Sequence, residues 1–208
     1  MIILAALSGL LIGAVQLYLM DVLPRFAAEP PETVPARPGW LMIVTPLASM
    51  AAAAVLWARF GWSAEWVATV AAYAFFALIA LIDLRYRLVL NVMTYPAMLV
   101  TLLAHALAGT ALLDVVAGAI FALFIFLGAA LTAGGLGMGD VKLATLMGLI
   151  FGFPGILWAL IVGVGAGGVT AAVLIVRRYS LNSAMPYAPF LCLGALVALI
   201  YDPLTSMM

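Results

Sequence analysis

The chain has 208 residues, of which 68% are hydrophobic and only 8% charged, with eight Lys plus Arg against eight Asp plus Glu. Soluble domains run near 45–50% apolar and ~25% charged, so this composition excludes a cytosolic enzyme, a nucleic-acid binder and a disordered chain. A polytopic membrane protein remains, and the balanced charge points to neither an acidic nor a basic partner. The single Cys192 leaves no internal disulfide framework and no cysteine zinc site. The single His105 makes a histidine metal cage implausible, so neither a metal nor a cofactor is expected.

A spanning helix needs roughly 20 apolar residues. On that criterion the sequence predicts an all-α membrane helix bundle of about eight segments in one domain, residues 1–208. The first runs over Ile2–Met20. Asp21–Pro38 follows, a polar stretch with Pro24, Pro30, Pro31, Pro35 and Pro38, expected to be an irregular loop. The next segments are Trp40–Ala58, Ala64–Ile82, Leu90–Leu107 and Leu112–Thr132. A glycine-rich loop, Ala133–Gly139, leads into a short sixth segment, Val141–Phe151, expected to cross only part of the bilayer. Pro154–Val176 and Tyr187–Tyr201 complete the set. Gly163, Gly165, Gly167 and Gly168 in the seventh segment read as helix-packing positions.

Lys and Arg in short loops set orientation. With the N-terminus outside, Arg25, Arg37, Arg85, Arg87, Lys142, Arg177 and Arg178 fall on the cytoplasmic side and only Arg59 outside. The basic residues follow the first apolar run, which favours a span over a cleaved signal. Trp40, Trp57, Trp62, Trp66 and Trp158 fall near segment ends, as interface anchors do. His105, toward an outer end, reads as structural or interfacial.

Charges at membrane depth are costly and are usually kept for a reason. Asp21, Glu29 and Glu32 lie in the cytoplasmic loop and read as solvated acids; Glu65, Asp114 and Asp202 sit at outer ends. Asp83 and Asp140 differ, because the topology puts both at cytoplasmic helix ends beside apolar sequence. Two neighbouring carboxylates share one proton. The ionised acid can activate water against a peptide carbonyl while its protonated partner supports the carbonyl oxygen. Two plainer readings stand beside this one: Asp83 in an ion pair with Arg85 or Arg87, and Asp140 as a helix cap. Lys142 could favour an ionised acid, though contact with water or lipid phosphate is the simpler expectation.

Asp140 closes the run Gly134-Gly135-Leu136-Gly137-Met138-Gly139-Asp140-Val141-Lys142-Leu143. Glycines at Gly137 and Gly139 would let a substrate backbone approach the acid. This run resembles the Gly-x-Gly-Asp membrane aspartic proteases, and most closely the type IV prepilin peptidases. The stretch Asp83-Leu84-Arg85-Tyr86-Arg87-Leu88-Val89-Leu90-Asn91-Val92-Met93-Thr94 resembles that family's first catalytic motif. Met185-Pro186-Tyr187-Ala188-Pro189-Phe190-Leu191 resembles its Pro-Phe-Gly-Pro-Phe element. The resemblance covers residues 64–208. Leu90 stands where the family usually has Pro, Asn91 where many members have Asp, and Tyr187-Ala188 where Phe-Gly is usual.

The resemblance implies an aspartic endopeptidase with Asp83 and Asp140 as catalytic acids. Gly137, Gly139, Lys142 and Asn91 would support them. The substrate would be a type IV prepilin, pseudopilin or related subunit, its basic leader cut after Gly at the cytoplasmic face of a prokaryotic inner membrane. Bifunctional members carry a methyltransferase domain after the first span, often with paired Cys-x-x-Cys elements. The corresponding loop here, residues 21–38, is too short for a folded domain and has no Cys, so N-methylation is not expected. Lipid is the other expected partner, and nucleic acid is not.

Other protease classes fit less well. A zinc enzyme needs His-Glu-x-x-His, which one His cannot supply, and no Gly-x-Ser-Gly loop suggests a rhomboid-type serine enzyme. Two non-proteolytic alternatives stay open: a transporter using both acids to bind a cation or proton, and an inactive pilin-binding assembly factor.

Overall fold

The computed structural model describes residues 1–27, 30–31, 35–133, 136–177 and 186–201. Glu29, Glu32, Gly134, Gly135, Arg178, Met185 and Asp202 lie outside them. The described residues form seven α-helices and one 3-10 helix: α1 (Ile2–Val22), α2 (Leu41–Phe60), α3 (Ala64–Tyr86), α4 (Asn91–Ala108), α5 (Leu112–Ala133), α6 (Met138–Val176) and α7 (Ala188–Ile200). Among them, six are long and apolar enough to cross a membrane, and α7 is a shorter apolar helix.

The expected sixth and seventh segments belong to one 39-residue run, α6. It breaks at Gly152 (φ 62, ψ −177) and Phe153 (φ −98, ψ 132). Gly152 occupies a region of backbone space open essentially to glycine alone, and Pro154 has no amide hydrogen to give to the preceding turn. The first arm, residues 138–151, rises about 21 Å, short of the ~30 Å hydrocarbon thickness. The expected irregular stretch after residue 20 is also corrected. α1 continues to Val22, and a 3-10 helix follows over Leu23–Phe26. Pro24 is tolerated there because the first helical turn needs no proline amide.

The chain divides into two compact units, residues 1–87 and 88–208. In the first, α1 lies against α2 with almost no side-chain spacing. A methyl on Gly9 would stand 2.7 Å from Met50 Cα, and one on Gly13 would overlap Pro46. Gly9 and Gly13 are four apart, on one helix face, the spacing that lets apolar helices meet in lipid. A buried polar chain joins the three helices: Gln16 Nε2 donates to the Ala74 carbonyl (3.0 Å), and Ser49 Oγ donates to Gln16 Oε1 (2.8 Å). Ser63 caps α3, its hydroxyl oxygen accepting from the Trp66 amide (3.1 Å). The Trp66 indole donates to the Ala53 carbonyl (3.2 Å), and its ring meets that of Trp62 edge-on.

In the second unit, α5 meets α6 where Gly118 opposes Gly148 and Gly152. α6 meets α7 where Gly163 opposes Gly194. Of the four glycines read as packing positions, Gly163 and Gly167 face α7, whereas Gly165 and Gly168 have open space beside them.

Candidate functional site

Asp83 lies in the last turn of α3 and is 5% exposed. Apolar residues surround it in sequence, with Leu81 and Ile82 also buried. The helix ends at Arg87, which adopts the left-handed conformation (φ 55, ψ 43) and donates its amide to the Asp83 carbonyl (2.8 Å). A left-handed turn commonly satisfies a terminal carbonyl in this way, but glycine is its usual occupant. Arg85, two residues from Asp83, pairs with Asp21 on α1. Asp21 also pairs with Arg37. The reading of Asp21 as a solvated loop acid is therefore corrected: it ends a helix and neutralises two guanidinium groups.

Asp140 lies in the first turn of α6 and is 9% exposed. Gly137 is the residue before the helix. Asp140 Oδ2 accepts from the Gly137 amide at 3.3 Å, and the Asp140 amide donates to the Gly137 carbonyl at 3.0 Å. The helix-capping reading thus has a physical basis, but the bond is long beside the usual 2.9–3.0 Å. It uses one of roughly four acceptor sites on a carboxylate.

The two motif glycines serve different ends. A methyl on Gly139 would come 2.9 Å from Val89 Cβ and 3.3 Å from Val89 Cγ2, so Gly139 admits the strand of chain before α4. A methyl on Gly137 would touch only Asp140 Oδ2 (3.6 Å) and the Gly139 amide nitrogen (3.9 Å). Gly137 is therefore the glycine that leaves space beside the carboxylate.

Lys142 was expected to meet water or lipid phosphate. Instead its half-buried side chain donates to Asn91 Oδ1 (2.8 Å) and holds its ammonium 5.2 Å from the Tyr95 ring centre. Asn91 is the first residue of α4, and Tyr95 is one turn on, so both face the same way. Thr94 is fully buried and donates to the Leu90 carbonyl (3.3 Å).

Tyr187, a departure from the family motif, comes within electrostatic reach of Asp140. Its ring packs against Phe126 and Phe190, and its Cε2 would stand 3.0 Å from a methyl on Gly167. Sequence reading treated Tyr187 as a mild substitution and missed this proximity. The signal available was the resemblance of Pro186–Pro189 to a family element.

His105 sits elsewhere in the second unit. Its Nδ1 is 2.9 Å from Thr110 Oγ1, at the end of α4. Both line a cavity of about 290 Å³ with Asp114 and the α6 break at Gly152–Phe153. Among the described residues, no three His, Cys, Asp or Glu side chains group as metal ligands.

Comparison with known proteins places these residues in context. The model of the type IV leader peptidase family matches residues 70–173, a span that contains Asp83, Asn91, Gly137, Gly139, Asp140 and Lys142. The chain is 30% identical over 151 residues to the prepilin leader peptidase/N-methyltransferase of Bacillus subtilis (strain 168). That alignment covers 69% of this chain and 59% of the relative, so the chain spans under two thirds of the relative's length. No solved structure matches. With three motifs in order and a family match across half its length, this all-helical chain belongs to the type IV leader peptidase family.

Proposed function

We propose that the chain is an aspartic endopeptidase that removes the basic leader of a type IV prepilin, pseudopilin or related subunit. Cleavage follows a Gly at the cytoplasmic face of a prokaryotic inner membrane, with the N-terminus of the peptidase outside. The observation that carries this reading is the pairing of a family match over residues 70–173 with two buried acids inside it, Asp83 and Asp140. Acids so buried in apolar helices are rare without a task.

In the proposed reaction the two acids share one proton. The ionised member takes a proton from water as that water attacks the peptide carbonyl, and the other donates a hydrogen bond to the carbonyl oxygen. The tetrahedral intermediate then collapses as the leaving amine takes a proton. Gly137 contributes by leaving room beside Asp140 for an extended peptide. Lys142, tied to Asn91, helps fix the start of α6.

N-methylation of the new terminus is not part of this proposal. The stretch that separates α1 from α2 is about 18 residues long and has no Cys, too little for a domain without staples. Co-expression with a candidate prepilin, followed by mass spectrometry, tests both parts. Release of the leader after Gly, with an unmethylated product terminus, is expected. A folded chain that leaves every prepilin of its own genome uncut would overturn the peptidase reading, and a methylated product would overturn the second part.

A further inference from the structure

Arg85 is 6% exposed at its side chain, unusual for a group that keeps its charge in proteins. Its donors are all engaged within the first unit. Nη1 binds Asp21 Oδ1, while Nε (3.1 Å) and Nη2 (2.6 Å) both donate to the Pro35 carbonyl. Arg37 reaches the other Asp21 oxygen and also donates to the Leu17 carbonyl (3.1 Å). Three separated pieces of chain meet here: the last turn of α1, residues 35–37, and the last turn of α3.

This junction differs from an ordinary surface ion pair, which contributes little. A buried guanidinium is tolerated only when its fork is filled, and both edges of this fork are filled. Removing Asp21 would leave Arg85 with part of its fork empty in a site that excludes water. The side chain would then move, and it belongs to the turn that carries Asp83. Terminal helical turns lack their full set of backbone bonds and fray readily. In α3 that turn is held by the Arg87 amide on the Asp83 carbonyl and by Arg85 on Asp21 and Pro35.

We propose that Asp21, acting through Arg85, is a positioning residue for Asp83, and that residues 35–37 form a strap drawn onto the same junction. The proposal rests on Asp83 being a catalytic acid. It gives the proline-rich stretch a task other than attracting a basic leader: it closes the guanidinium fork that steadies the acid-bearing turn.

Two readouts on the full chain in lipid nanodiscs test it. The first needs no substrate. Hydrogen exchange at the end of α3 should quicken about tenfold in Asp21→Asn and Arg85→Gln, with the middle of α2 unchanged. The second is leader cleavage, in which both variants should lose about tenfold in kcat with KM within about twofold. Asp21→Glu, which keeps the carboxylate, should restore both. The double variant Asp21→Asn with Arg85→Gln should be no worse than either single change, because the pair acts as a unit. Arg85→Lys serves where Arg85→Gln fails to fold. Unchanged exchange overturns the proposal, as do quickened exchange with wild-type kcat, an effect on KM alone, or additive losses. Cleavage that survives Asp83→Asn would overturn the peptidase reading itself. An inert Asp83→Asn beside a fully active Asp21→Asn would overturn only this inference.

Discussion

Lys142 Nζ donates to Asn91 Oδ1 across 2.8 Å, tying the first turn of α6 to the first residue of α4. The ammonium also lies over the Tyr95 ring, so two residues of α4 hold one cation two positions after Asp140. Asn91 needs only an acceptor oxygen for this. Asn91→Asp keeps the oxygen and adds a charge, and kcat for leader cleavage should stay within about threefold of wild type. Asn91→Leu removes the acceptor and should lower kcat about tenfold through misplacement of the α6 start. Equal rates for Asn91→Leu and wild type would show that the tie has no part in the reaction.

Gly139 and Val89 make a sterically tight pair. A methyl at residue 139 would sit 2.9 Å from Val89 Cβ, a contact that forces backbone to move. Gly139→Ala should cost about 1–3 kcal/mol, read as a lower thermal midpoint, and should reduce cleavage at least tenfold because Asp140 is the next residue. Val89→Gly in the same chain removes the opposing atom and should return most of the activity. Failure of that rescue would assign the glycine to substrate contact instead.

The α6 break depends on one backbone conformation. Gly152→Ala forces a side chain into φ 62, ψ −177, at a cost of about 1–3 kcal/mol. A methyl there would meet the Asp114 carbonyl only at ordinary contact distance (3.5 Å), so backbone strain, not crowding, sets the effect. Intrinsic tryptophan fluorescence during heating should show a midpoint several degrees lower. An unchanged midpoint would mean that the break does not need glycine.

The buried Gln16–Ser49 bond ties α1 to α2, and Gln16 reaches α3 through the Ala74 carbonyl. Gln16→Leu leaves two polar groups without it and should destabilise by about 0.6–2 kcal/mol. Ser49→Ala added to that variant should cost little more, since the pair shares one network. Additive losses in a thermal or denaturant series would show two independent contacts.

Much of this was readable from local sequence. Apolar runs located every helix, because lipid demands that backbone bonds close within each segment. Gly152 and Pro154 marked the α6 break, although a glycine-permitted kink made one long run from the expected pair. Asp83 and Asp140 stood out as acids flanked by apolar residues. The Gly9–Gly13 spacing was a visible packing signal that sequence reading passed over. The Asp21–Arg85 pair could not be read in this way: 64 residues separate the partners, and local pattern carries no information on such contacts. Lys142 misled for a related reason. Its bond to Asn91 spans 51 residues, so composition alone suggested lipid. Tyr187 likewise meets Asp140 only through the packing of α7 on α6.

The central claim is that Asp83 and Asp140 are both needed for cleavage of a prepilin leader. The most direct measurement is single-turnover cleavage of a purified prepilin by the wild-type chain, Asp83→Asn and Asp140→Asn in the same nanodiscs, with prepilin binding measured alongside. Asn keeps the shape and loses the titrating group, so each variant should bind prepilin normally and cut at least 10³-fold more slowly, as expected when a reaction loses half of an acid–base pair. Wild-type cleavage by either variant would contradict the two-aspartate account.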